Sequence, residues 1–143
     1  MKKSITISYT INELHTVAQQ LAALRATCAI FTFTGSLGAG KTTLVRELLR
    51  ICGVTTPITS PTFTYVNLYT NEKKETFYHF DCYRLTTTQQ FIEAGFDEYL
   101  YVPDSYSFIE WPQVVMPLLT HNVCHVIIEY DGHEARSLTY TIT

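Results

Sequence analysis

Positive charge is scarce in this 143-residue chain: ten Lys and Arg stand against thirteen Asp and Glu, for a net charge of −3. Such a supply builds no broad cationic face, so the chain is not expected to hold a nucleic acid through its phosphates. Long apolar runs are missing as well. None approaches the roughly 18–20 residues that a membrane span needs, and no membrane partner is expected. The opening MKKSITISYT carries two lysines with no apolar stretch behind them, unlike a secretory signal. Closely spaced cysteines are absent too: Cys28, Cys52, Cys82 and Cys124 lie far apart with no C-x-x-C. That spacing suits reduced thiols in a cytoplasmic protein rather than a zinc site or a disulfide framework. No repeat, low-complexity tract or linker divides the chain, so residues 1–143 are expected to form a single domain. Hydrophobic residues make up 46% and charged residues 16%, a balance that folds rather than staying disordered.

What is present is an alternation of strand and helix patterns. Residues 4–9 alternate as a short strand, and Thr10 with Glu13 forms a T-x-x-E capping box. Leu14, Val17, Ala18, Leu21 and Leu24 then recur at helical spacing as far as about Arg25. CAIFTFT, residues 28–34, reads as a buried strand. Lys41–Ile51 reads as an amphipathic helix closed by Gly53. Residues 62–70 and 76–83 are expected to be strands of a hairpin around the polar turn 71–74. Residues 87–100 are weakly helical, 106–109 form a short strand ending at Glu110, and Pro112 can start a helix to about Leu119. Residues 123–130 and 137–142 make a second hairpin around Asp131-Gly132. The order implies an α/β protein whose mixed sheet is parallel at its centre and antiparallel at its edges.

Between the buried strand and its helix stands Gly35-Ser36-Leu37-Gly38-Ala39-Gly40-Lys41-Thr42, a full match to G-x-x-x-x-G-K-[ST]. The motif is meaningful only in that strand-to-helix context. Glycines let the backbone wrap a phosphate, and the helix N-terminus adds positive potential there. Lys41 is placed for the β- and γ-phosphates and the Thr42 hydroxyl for Mg²⁺. The expected architecture is therefore a three-layer sandwich of the P-loop NTPase type.

Such a site needs a carboxylate at the end of a neighbouring strand. Glu110 ends one strand and Asp81 lies near the end of another. Glu110 also reads as an acid before a helix start, and Asp81 as the ion-pair partner of Arg84. On the strand of Asp81, alternation puts His79, Asp81 and Tyr83 on one face, although a lone histidine is more often structural. The loop 59–62 reads either as a switch that senses the γ-phosphate or as a plain proline turn capped by Ser60.

Taken together, the phosphate loop, Ser60-Pro61-Thr62-Phe63, His79-Phe80-Asp81-Cys82-Tyr83-Arg84-Leu85, Gly95-Phe96-Asp97-Glu98-Tyr99-Leu100 and Ile109-Glu110-Trp111-Pro112 resemble the TsaE (YjeE) family in content and order. The resemblance covers roughly residues 8–140. It implies a bacterial ATPase required for N6-threonylcarbamoyladenosine at position 37 of tRNAs that read ANN codons. It further implies action with the TsaB and TsaD proteins, with tRNA met only through that complex. Carried over, Gly38, Ala39, Gly40, Lys41, Thr42 and Thr43 would cradle the phosphates of ATP. Thr42 and Glu110 would hold Mg²⁺, and Lys41, Asp81 and Glu110 would serve the chemistry. Trp111 would lie beside the site, with Thr10 near the adenine and Arg136 on the nucleotide. Where the family often has a second acid after its Trp, this chain has Gln113.

Two other classes compete. A small P-loop kinase needs an arginine-rich lid, and this chain has five arginines and no insertion for one. A nucleotide-gated binding module would use the same site without turnover. A regulatory GTPase is disfavoured because no N-K-x-D occurs.

Overall fold

Alternating side chains make Ser4–Thr10 a strand, β1, in a computed structural model that describes residues 3–61 and 64–143. At its end the Thr10 backbone N–H and hydroxyl both donate to Glu13 Oε1 at 3.0 Å. A single 3₁₀ turn then leads into helix α1, Leu14–Ala23. Strand β2, Ile30–Thr34, runs into the phosphate loop and helix α2, Lys41–Ile51. The first hairpin follows as β3, Val66–Thr70, and β4, Thr76–Asp81. Helix α3, Thr88–Glu93, precedes β5, Ser105–Glu110. The second hairpin, β6 (Val123–Asp131) and β7 (Ala135–Ile142), ends the fold.

These seven strands form one sheet in the order β1-β7-β6-β2-β5-β4-β3. The four central strands, β6, β2, β5 and β4, are parallel; β3, β7 and β1 join antiparallel at the edges. Helices α1 and α2 pack over one face on Phe31, Phe33, Phe77, Phe108 and Val126. Helix α3 and nearby turns cover part of the other face over Ile30, Phe80, Ile109 and Val123. Each such fully buried side chain contributes about 1.5–3 kcal/mol, so both layers hold the parallel centre in place.

Three expectations change. The helix expected over residues 112–119 is two 3₁₀ turns, Pro112–Val114 and Met116–Leu118. Pro117 lacks the N–H that an α-helix would need and its ring would meet the carbonyl of Gln113. The strand expected to reach Tyr83 stops at Asp81, because its partner β5 stops in register at Glu110 and Cys82 N–H closes onto the Glu110 carbonyl at 3.1 Å. The preceding strand begins at Val66; Thr62 and Phe63 lie outside the described residues.

Candidate functional site

Three parallel strands, β2, β5 and β4, end at the same edge of the sheet, where open α/β folds bind their ligands. The loop from β2 to α2 covers that edge. Gly35 is obligatory there: a Cβ would sit 2.4 Å from the Ile128 carbonyl oxygen. Gly40 takes φ +107° immediately before α2, a conformation that side chains oppose. The loop, Asp81, Glu110 and Trp111 enclose a cleft of about 420 Å³ that Thr42, Thr43, Ser60, Tyr83 and Arg84 also line.

Lys41 is buried within its own loop. Its Nζ donates to the carbonyls of Gly35 at 2.7 Å and Ser36 at 3.0 Å and lies 4.1 Å from the Trp111 ring centre. Burial pushes its pKa down, against the pull of the Glu110 and Asp81 carboxylates. Across the cleft the Thr42 hydroxyl donates to Glu110 Oε1 at 2.7 Å. Glu110 is only 2% exposed, and its other oxygen meets His79 Nε2 at 2.6 Å. Asp81 is paired in register with Glu110, and its Oδ1 accepts from Tyr83 N–H at 3.1 Å. Burial raises the Asp81 pKa, the Tyr83 N–H lowers it, and the Glu110 charge raises it further.

Trp111 follows Glu110 in the left-handed region, at φ +54°. That turn swings its ring between Lys41 and Tyr83, whose ring centre is 4.9 Å away. Ser60 lies at the cleft, and the preceding Thr59 is pinned to β3. Its N–H donates to the Tyr69 hydroxyl and its carbonyl accepts from Asn67 Nδ2, both at 3.1 Å.

Of the residues singled out from sequence, Gly38, Gly40, Lys41, Thr42, Thr43, Asp81, Glu110 and Trp111 line this one cleft. Ala39, Thr10 and Arg136 lie outside its lining, toward β7. Thr10 is opposite Ala135, and Arg136 donates from Nε to the Ala39 carbonyl at 3.1 Å while resting on the Tyr130 ring at 4.3 Å. Sequence reasoning missed the His79–Glu110 contact. Its only local sign was the polar face that His79 shares with Asp81.

The donors converging here are hard oxygens and one buried ammonium, a set suited to phosphate and a hard cation. Fold and site together define an α/β protein of the P-loop NTPase type. The chain belongs to the TsaE family: residues 8–138 match the model of "Threonylcarbamoyl adenosine biosynthesis protein TsaE". The TsaE protein of Bacillus subtilis is 31% identical over 129 residues, covering 90% of this chain and 79% of that protein. The Rickettsia bellii protein is 35% identical over 142 residues, covering 99% and 96%. The Rickettsia conorii protein is 39% identical over 101 residues, a stretch that is 70% of this chain and 56% of that longer protein. The crystal structure of Bacillus subtilis YdiB superposes with a TM-score of 0.73 at 27% identity, covering 99% of this chain and 87% of that one.

Proposed function

We propose that the chain is an Mg²⁺-dependent ATPase of tRNA threonylcarbamoyladenosine biosynthesis, slow by itself and reliant on the TsaB–TsaD pair. The observation that carries this reading is the Thr42–Glu110 pair at the N-terminus of α2, with the Lys41 ammonium beside it. ATP would enter phosphates first. Lys41 would exchange the Gly35 and Ser36 carbonyls for the β- and γ-phosphates, trading neutral acceptors for charged ones. Backbone N–H groups from Gly38 to Thr43 would line the phosphate chain. Thr42 and Glu110 would hold Mg²⁺, which when bound supplies positive charge to the phosphate oxygens. Thr42 and Glu110 offer two adjoining oxygens, which suits an ion that takes one or two protein oxygens and completes its shell with phosphates and water. Asp81 would orient the attacking water or the cation's water shell. Thr10 and Arg136, toward β7, would lie on the nucleoside side.

Slow turnover follows from the cation supply. Lys41 would serve the bound ATP, and Arg84, which lines the cleft, sits in no motif that fixes it on the charge developing at the γ-phosphate. An arginine supplied from outside contributes about 10³–10⁵ in comparable enzymes. The test is ATP hydrolysis by the pure protein, then with TsaB, TsaD and tRNA. Slow turnover that rises with the partners is expected. Fast hydrolysis indifferent to them overturns the proposal, as does sustained threonylcarbamoyl transfer with Lys41→Ala. Nucleotide-dependent partner binding without any turnover replaces it with the binding-module reading.

A further inference from the structure

His79 has no part in the mechanism above, yet it is fully buried against the group on which that mechanism turns. Its side chain is 0% exposed, and its Nε2 lies 2.6 Å from Glu110 Oε2. Its Nδ1 is buried with no hydrogen-bond partner among the described residues. An ionised carboxylate only accepts, so the bond requires a proton on Nε2. The opposite carboxylate oxygen is taken by the Thr42 hydroxyl at 2.7 Å. Glu110 is therefore held at both oxygens, by one donor behind it and one in front. A histidine kept only for packing in this aromatic strand has no need of one directional bond to a buried acid.

Resting on the function proposed above, we propose that His79 is a positioning residue for Glu110. By holding Oε2 it stops the carboxylate rotating and keeps Oε1 aimed at Thr42, where the cation would bind. Groups placed behind a metal-binding side chain fix its orientation, and their loss costs about 10–100-fold in metal affinity or activity. Removing the imidazole also leaves a buried carboxylate oxygen without a donor.

The experiment uses Mn²⁺ as probe, with its binding followed by electron paramagnetic resonance in the presence of a non-hydrolysable ATP analogue. His79→Leu is expected to weaken Mn²⁺ binding about 10–100-fold, whereas His79→Gln, which keeps an N–H donor, stays within about threefold of wild type. Analogue binding in excess chelator is expected to change little in either variant. Equal Mn²⁺ affinity for His79→Leu and wild type overturns this inference alone, as does an equal loss in both variants. Wild-type protein that takes up no Mn²⁺ with the analogue overturns the proposed function and this inference together. ¹⁵N spectra of the unliganded wild-type ring add a readout that survives if His79→Leu does not fold. An Nε2–H signal that shifts in Glu110→Ala supports the role; an Nδ1–H tautomer overturns it.

Discussion

Toward β4 and β5 the phosphate loop meets carboxyl side chains: Asp81, and Glu110, which Thr42 engages in front and His79 from behind. Toward β6 and β7 it meets a different kind of neighbour. There the Ile128 carbonyl leaves no room for a Cβ at Gly35, and Arg136 Nε grips the Ala39 carbonyl. One side offers groups that a phosphate chain and a cation would engage; the other fixes the course of the backbone. The electrostatics divide the same way. Burial disfavours the charged forms of Lys41 and Asp81, which face the cleft. The charges of a phosphate and a cation would offset that cost for both groups.

Lys41→Ala is the strongest test of that contrast. Losing a preorganised charge at the phosphates is expected to lower turnover by about 10²–10³-fold. Calorimetry with ATP should also show weaker binding, and wild-type affinity would remove Lys41 from the phosphate site. Gly35→Ala tests the opposite side. The added methyl meets Ile128 O at 2.4 Å, so thermal unfolding should report about 1–3 kcal/mol lost to overpacking, with nucleotide affinity falling alongside. A protein as stable as wild type would mean that the loop yields freely on this side.

The two sides were unequally legible in the sequence. The loop and its flanking strand and helix are contiguous, so their glycine spacing and apolar periodicity could be read directly. Glu110 was readable because it ends a short apolar strand. Contacts across the sheet were not. His79 and Glu110 are 31 residues apart and Ala39 and Arg136 are 97 apart. Both contacts depend on strand order and register, which no local pattern encodes. Asp81 lies opposite Glu110 only because β4 and β5 pair in parallel with that register. Pro117 shows the reverse case: the residue was visible, but Pro112 was read as the start of a helix that Pro117 cannot complete.

Arg136→Ala sharpens the comparison with a smaller effect. If Arg136 acts through the Ala39 carbonyl, losing that bond should cost about 0.5–1.5 kcal/mol, or about 2–10-fold in nucleotide affinity. Turnover at saturating ATP should hold, because no group on the β5 side moves. A fall in saturated turnover with affinity intact would instead place Arg136 in the chemistry, and the division of labour between the two sides would be wrong.

Asp81→Asn probes the smallest expected effect, and its sign is the informative part. Burial, then the nearby Glu110 charge, raise the Asp81 pKa in the fold, with the Tyr83 N–H and other groups opposing them. A carboxyl whose pKa is higher folded than unfolded stabilises the fold when protonated. That stability is fully present below the ordinary carboxylate range and is lost as pH rises through the raised value. At neutral pH the ionised Asp81 is therefore a small liability to the ligand-free protein. Asparagine is uncharged and keeps an oxygen that can accept from Tyr83 N–H, so Asp81→Asn should unfold at a slightly higher temperature than wild type at pH 7. The difference should shrink as the pH is lowered into the acid range. Hydrolysis should fall in the same variant, since an amide can neither take a proton nor carry charge toward a cation's water shell. Melting curves across pH, recorded without nucleotide or divalent cation, check the first part, and an ATPase assay checks the second. A variant less stable than wild type at neutral pH would show that Asp81 serves the empty fold, and would move it to the bracing side of the loop.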